Sequence, residues 1–268
     1  MLKTAMTEML GVKYPIQCGT MMWISRPALV AAVAQAGGFA CLASAIYGDP
    51  QGLTQAINET KALTDKPFGV NVSLFPALER KPPEDMIQAV IEAGVKIIET
   101  AGRSPEPYRP LIKEAGLTHI HKCARVRDAV KAEKLGVNLV SAVGIECGGH
   151  PSQEKVASLV LIPQVVDAVD IPVIAGGGFC DGRSLVAALA LGAVGMNLGT
   201  RFLATRECPI HDVFKQKLVQ AREYDTRLVM ESINNPSRVM DNPWCEKVLE
   251  MEQQGATLQE LIPFITGK

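Results

Sequence analysis

The chain has 268 residues, 47% of them hydrophobic and 21% charged, with a formal net charge of −1. That length suits a single α/β domain with a large core, and the charge balance excludes both a disordered chain and a nucleic-acid surface, leaving a small-molecule partner as the expectation. Its seven cysteines (Cys18, Cys41, Cys123, Cys147, Cys180, Cys208 and Cys245) show no C-x-x-C spacing, which argues against a disulfide framework or a structural zinc site and fits a reducing compartment. The first residues lack a basic segment followed by an apolar one. The apolar stretch at 185–196 is broken by glycine and too short for a bilayer. The expectation is a cytoplasmic protein without a membrane contact.

In chain order, eight short apolar runs read as strands, at 15–18, 38–42, 68–72, 95–100, 118–122, 139–143, 172–175 and 195–198. Their near-continuous apolar interiors are those of parallel strands covered on both faces. Between them Ile87, Val90, Ile91 and Gly94 keep a 3.6-residue period, and 183–191 reads as a helix closed by Gly192. Five helices end alike, at Gln35-Ala-Gly-Gly38, Glu92-Ala-Gly-Val95, Glu114-Ala-Gly-Leu117, Lys134-Leu-Gly-Val137 and Leu191-Gly-Ala193, each with a glycine suited to a left-handed cap before the next strand. Eight alternating units predict a closed (β/α)8 TIM barrel. An open dinucleotide-binding sheet would need G-x-G-x-x-G after the first strand, where this chain has Cys18-Gly-Thr-Met-Met-Trp23. Beyond Thr205 the pattern changes to predicted helices at 210–223, 227–233, 244–254 and 258–265, punctuated by Pro236, Pro243 and Gly255. The expected division is a barrel core at 1–205 and a C-terminal helical extension at 206–268, which either caps the barrel mouth or packs outside it.

In such a barrel the chemistry sits just after each strand. Those positions hold Gly19-Thr20-Met21, Asn71, Lys122, Glu146-Cys-Gly-Gly-His150, Gly176-Gly177-Gly178 and Gly199-Thr200. The two glycine signals following consecutive strands point to a phosphorylated ligand, since loops without Cβ atoms let backbone N–H groups approach an anion. Gly148 and Gly149 leave His150 on a loop where its ring can swing over a flat ligand, as a base or, when charged, an anion binder; the alternative is a histidine that only stabilises the loop. His119 and His121 share the opposite strand face from Lys122 and are expected to point towards the helices. His211 reads as surface, and Cys123 and Cys147 as small packing residues rather than reactive thiols. No H-E-x-x-H, G-x-S-x-G or phosphate-loop pattern supports a metal, a serine hydrolase or a nucleoside-triphosphatase.

Six motifs in order, Pro15-Ile-Gln-Cys-Gly-Thr-Met-Met-Trp23, Pro67-Phe-Gly-Val-Asn71, His121-Lys122, Glu146-Cys-Gly-Gly-His-Pro151, Ala175-Gly-Gly-Gly-Phe-Cys-Asp-Gly182 and Leu198-Gly-Thr-Arg-Phe-Leu-Ala-Thr205, resemble the nitronate monooxygenase (2-nitropropane dioxygenase-like) family over about residues 8–225. Within it the chain looks most similar to the bacterial NADH:quinone reductase branch. The resemblance implies a TIM barrel with non-covalent FMN. Gly176, Gly177, Gly178, Gly199 and Thr200 would hold the phosphate, Gly19, Thr20, Met21 and Gly149 would lie along the flavin, Asn71 and Lys122 would hydrogen-bond the cofactor, and His150 would face the substrate. Two departures are visible: the chain stops at Ile265-Thr-Gly-Lys268 where members commonly continue, and the first loop has Cys18 and Thr20 where many have glycines.

The first functional expectation is oxidation of an alkyl nitronate with dioxygen to a carbonyl compound and nitrite. A second uses the same FMN to pass electrons from NADH or NADPH to a quinone or an enoyl thioester. Outside flavin redox chemistry, Lys122 offers a Schiff-base lyase, and an idle flavin-binding protein completes the alternatives. A homodimer is left open.

Overall fold

The computed structural model describes residues 2–75 and 82–265. Eight parallel strands close into a barrel in chain order: β1 (Ile16–Cys18), β2 (Phe39–Ala43), β3 (Gly69–Ser73), β4 (Ile97–Ala101), β5 (Thr118–Cys123), β6 (Leu139–Val143), β7 (Val173–Gly176) and β8 (Gly195–Leu198). All eight predicted strands are present, with ends shifted by a residue or two. Before and between them lie α1 (Ala5–Leu10), α2 (Pro27–Gln35), α3 (Pro50–Leu63), α4 (Pro83–Glu92), α5 (Arg109–Glu114), α6 (Val126–Lys134), α7 (Ser158–Ala168) and α8 (Gly182–Ala190). The five predicted helix-end glycines all adopt positive φ, from 66° at Gly116 to 91° at Gly37, so the αβ junctions form where glycine permits a left-handed cap.

Strand parity divides the barrel interior into two halves. Towards the strand N-termini, Phe39, Cys41, Ile97, Ile120, Leu139 and Ile174 form one cluster with Met6 and Leu10, so α1 closes that end of the barrel. Space there is tight: a Cβ on Gly195 would lie 2.4 Å from the Met6 sulfur. Towards the strand C-termini the inward positions turn polar, with Asn71 paired in register to Glu99, Lys122 to Ser141 and Gln17 to Asn197. Ordinary hydrophobic closure at one end therefore leaves a polar mouth at the other.

After β8 come α9 (Thr200–Leu203), α10 (Asp212–Gln220), β9 (Thr226–Val229), β10 (Ser237–Met240), α11 (Pro243–Gln253) and α12 (Leu258–Ile265). The helix expected at 227–233 is a correction: that stretch forms an antiparallel hairpin, β9 pairing with β10 from Thr226↔Met240 to Val229↔Ser237. Tertiary contacts override local periodicity here. Val229 and Met230 are buried in a small cluster with Cys245, Val248 and Leu261, and Glu252 of α11 accepts the main-chain N–H groups of Met230 and Ser232 that a helix would have used internally. Among the described residues no helix is long and apolar enough to cross a membrane.

On the outer face of β5, His119 and His121 lie under the helices as parity predicted. Both are buried, and the Thr100 hydroxyl sits 2.7 Å from His119 Nε2 and 2.8 Å from His121 Nδ1. Burial pushes their pKa values down, to about 3 for His119 and about 4 for His121, from an ordinary 6.5, so both rings are neutral in the fold. The unfolded chain takes up protons below pH 6.5 that the folded chain refuses, so these groups favour folding above that value and lose their contribution as the pH falls towards 4. Urea titrations should show stability declining from pH 6.5 to 5, and the double variant His119→Gln/His121→Gln should flatten that decline; an equal slope in both proteins would remove the pair as its source.

Candidate functional site

Adjacent strands β7 and β8 deliver the two glycine loops side by side, with Gly176 in register with Asn197. Gly177 and Gly178 adopt φ of +96° and +75°. A Cβ on Gly177 would stand 2.6 Å from the Ser158 hydroxyl and 3.0 Å from Gly144 backbone atoms, whereas at Gly199 it would meet open space. The loop thus needs glycine at 177 for both conformation and room. Among the described residues no hydrogen bond uses the N–H groups of Gly177, Gly178, Gly199 or Thr200, which remain available at the rim. Thr200, the first residue of α9, is exposed beside them.

The β7 turn is braced from behind by the first residue of the strand-end motif Glu146-Cys-Gly-Gly-His150. Glu146 accepts from the N–H of Ser158, the first residue of α7, through both carboxylate oxygens at 3.0 Å, and from the Ser158 hydroxyl at 2.8 Å. That hydroxyl also lies 3.0 and 2.9 Å from the carbonyls of Gly176 and Gly177. A carboxylate at a helix N-terminus is well placed electrostatically. Its effect is to tie the loop after β6 to the loop after β7.

Three predicted site residues converge on a fourth that was missed. Glu99, on β4 and fully buried, accepts from Thr20 Oγ1 at 2.9 Å and Asn71 Nδ2 at 2.7 Å on Oε1, and from Gln17 Nε2 at 2.7 Å on Oε2. Lys122 Nζ lies 3.5 Å from the same Oε1, and its side chain is 24% exposed at the mouth. Burial by itself would raise the Glu99 pKa, but the Lys122 charge and the bonds from Thr20, Asn71 and Gln17 outweigh it and hold the carboxyl below its ordinary value. Glu99 was visible as the one charged residue inside the strand Ile97-Ile-Glu-Thr-Ala101, at a parity shared with inward Ile97. Asn197 was missed similarly; it donates to Ser141 Oγ at 3.0 Å, and its Oδ1 would lie 2.6 Å from a Cβ on Gly19. Gly19 itself donates to the Leu198 carbonyl at 2.8 Å, while Met21 packs half-buried against the core with its N–H on Ser25 Oγ at 2.9 Å.

His150 extends from the loop after β6 and meets Phe75 from the loop after β3, ring centres 5.8 Å apart. Partial burial of the ring pushes its pKa below the ordinary 6.5, although the residue is exposed at the surface. Phe75 in turn rests on Gly102, where a Cβ would approach its ring to 2.8 Å. Near this loop the Cys147 thiol is pushed up by burial, despite the nearby charges of Lys122 and Arg238. Burial likewise takes Cys18 to about 12, so neither thiol is set up as a nucleophile.

The hairpin of the C-terminal segment contacts the loop after β6. Arg238 of β10 and Gly149 exchange both main-chain bonds, at 2.7 and 3.1 Å, and the Arg238 guanidinium reaches the Ile145 carbonyl at 3.3 Å and Thr226 Oγ1 at 3.0 Å. Lys155 pairs with Glu231 at 2.5 Å, and Gln153 donates to the Asn234 carbonyl. The segment carrying His150 is therefore clamped from outside the barrel. No sequence signal marks this contact, because it joins residues some ninety positions apart.

Comparison with known proteins places this geometry in context. The sequence profile described as nitronate monooxygenase matches residues 3–263. A protein of Rhodococcus jostii named (3aS,4S,5R,7aS)-5-hydroxy-7a-methyl-1-oxo-octahydro-1H-indene-4-carboxyl-CoA dehydrogenase is 39% identical over 90% of this chain and 66% of its own length. A probable nitronate monooxygenase of Bacillus subtilis is 34% identical over 86% of this chain and 77% of its own. Among solved structures, FabK from Thermotoga maritima superposes with a TM-score of 0.88 at 36% identity, over 95% of this chain and 79% of that one. The chain thus spans about two thirds of the length of the Rhodococcus relative.

If the hairpin clamps the loop as described, Arg238→Ala should increase amide hydrogen exchange at 145–150 by several-fold, while global stability falls by no more than about 1 kcal/mol, the scale of one or two exposed hydrogen bonds. Unchanged exchange would show that the guanidinium does not restrain the loop.

Proposed function

Because the chain belongs to the nitronate monooxygenase family, a family of oxidoreductases, we propose that it holds FMN at the barrel mouth and oxidises an alkyl nitronate with dioxygen to a carbonyl compound and nitrite. The observation that carries the cofactor reading is the pair of glycine loops on adjacent strands, whose free N–H groups and missing Cβ atoms suit the phosphate of a flavin nucleotide. In this reading Gly176, Gly177, Gly178, Gly199 and Thr200 hold the phosphate, Gly19, Thr20, Met21 and Gly149 line the ring, and Asn71 and Lys122 hydrogen-bond it. FMN would supply the two-electron acceptor and the reactivity with dioxygen.

The chain's own groups have separate tasks. Arg238, close enough to act on the Cys147 thiol and without an acidic partner among the described residues, brings to the mouth the positive charge that an anionic nitronate requires, whereas the Lys122 charge is paired with Glu99. His150, whose pKa partial burial lowers, donates to a nitro oxygen, or accepts the α-proton on a ring nitrogen when the substrate is the neutral nitroalkane. Phe75 and the hairpin-clamped loop limit where that ring can move.

A second reading, electron transfer from NADH or NADPH through the same FMN to a quinone or enoyl thioester, is favoured by one observation: the Rhodococcus relative is named for a carboxyl-CoA substrate. The two readings separate in one experiment. Purified protein is analysed for bound flavin and reduced anaerobically by a nitronate, NADH and NADPH in parallel. Fast bleaching by the nitronate is expected; fast bleaching by a nicotinamide alone would select the second reading, and a colourless protein that ignores added FMN would end both. Trapping of a carbonyl substrate on Lys122 by borohydride would instead support the Schiff-base lyase.

Two substitutions test the residue roles. Gly177→Asp combined with Thr200→Val is expected to abolish FMN retention. His150→Ala should retain FMN and lower turnover by about 10²- to 10⁴-fold; an unchanged rate would remove His150 from the reaction.

A further inference from the structure

Thr20, Asn71 and Lys122 come from three different strand ends, yet all three meet one atom, Glu99 Oε1, at 2.9, 2.7 and 3.5 Å. Glu99 is fully buried, and among the described residues Lys122 has no second ion-pair partner. The barrel does not need a carboxylate at this depth in order to close, since the neighbouring interior layer is built from Phe39, Ile97, Ile120 and Leu139. Burying one there is costly unless every oxygen is satisfied. Three of the four donors that satisfy it, Thr20, Asn71 and Lys122, are side chains assigned above to the cofactor.

We propose that Glu99 is a positioning residue for the flavin site: it aims Thr20, Asn71 and Lys122 at the cofactor and, by cancelling the Lys122 charge, lowers the reduction potential of the bound flavin. This rests on the FMN reading of the preceding section. The sign follows from charge alone. Reduction adds negative charge to the flavin, which an uncancelled ammonium nearby favours and a paired one favours less.

Glu99→Gln is the informative change because it removes the charge and keeps the shape. The Gln carbonyl still accepts from Thr20 and Asn71. After rotation of the Gln17 amide, the new NH2 has a waiting acceptor in Gln17 Oε1, which is buried and lacks a partner among the described residues. Potentials are measured by dye-equilibrated reductive titration of FMN-loaded wild type, Glu99→Gln, Lys122→Met and the double variant, with FMN dissociation constants and melting temperatures recorded in parallel. Glu99→Gln is expected to raise the potential, with the reduced flavin gaining about tenfold in affinity relative to the oxidised form, equivalent to about 30 mV for a two-electron couple. Lys122→Met should lower it, and the double variant should return close to wild type.

A role confined to packing would change melting temperature and FMN affinity without this reciprocal pattern. An unchanged potential in Glu99→Gln, or a shift that Lys122→Met fails to reverse, overturns the proposal. Should Glu99→Gln not fold, Lys122→Met alone decides: a lower potential supports the charge pairing, and an unchanged one refutes it. Wild-type protein that takes up no FMN ends the cofactor reading and this proposal with it, whereas loaded protein whose potential ignores the substitution ends this proposal alone.

Discussion

A carboxylate in the middle of a barrel has to be answered by donors, and much of the mouth follows from how Glu99 is answered. Its two oxygens gather Gln17, Thr20, Asn71 and Lys122 from three strands or their ends into one network. Leaving such a charge unpaired would cost several kcal/mol, more than a typical domain can spare. The network therefore restrains side chains that would otherwise sample many rotamers, and it does so before any ligand arrives.

The remaining walls are fixed by complementary means. Glycines keep two neighbouring turns open, and Glu146 with Ser158 braces one of them against α7. At the neighbouring loop after β6 the chain uses its own C-terminal segment: β10 pairs with Gly149, so the loop bearing His150 is held by strand-like main-chain bonds as well as by side chains. Phe75, supported by Gly102, meets His150 across the rim. Rigid barrel strands set one half of the site, and a clamped loop sets the other. Loops of this kind usually determine which substrate a common scaffold accepts.

The division of the interior has a thermodynamic logic. Apolar packing closed by α1 supplies stability at the strand N-termini. The polar layer at the C-termini lowers what could be gained from burial, a cost that barrels accept where chemistry is done. His119 and His121 show the same economy outside the barrel: both are buried neutral around one Thr100 hydroxyl.

Much of this was legible in the amino-acid order. Eight apolar runs separated by glycine-capped helices specify a parallel barrel, because parity and left-handed caps are local properties that one chain segment expresses alone. The glycine loops and the strand-end polar residues were legible for the same reason. What the order of residues left undecided were the contacts between distant segments: which side chains Glu99 gathers, how Glu146 braces the β7 turn, and that 227–233 becomes half of a hairpin instead of a helix. The hairpin forms because Glu252 and a small apolar cluster satisfy it, and it reaches Gly149 only once the barrel has brought that loop to the rim. Local periodicity determined the scaffold; long-range hydrogen bonds, which exist only after the chain has closed, decided the site.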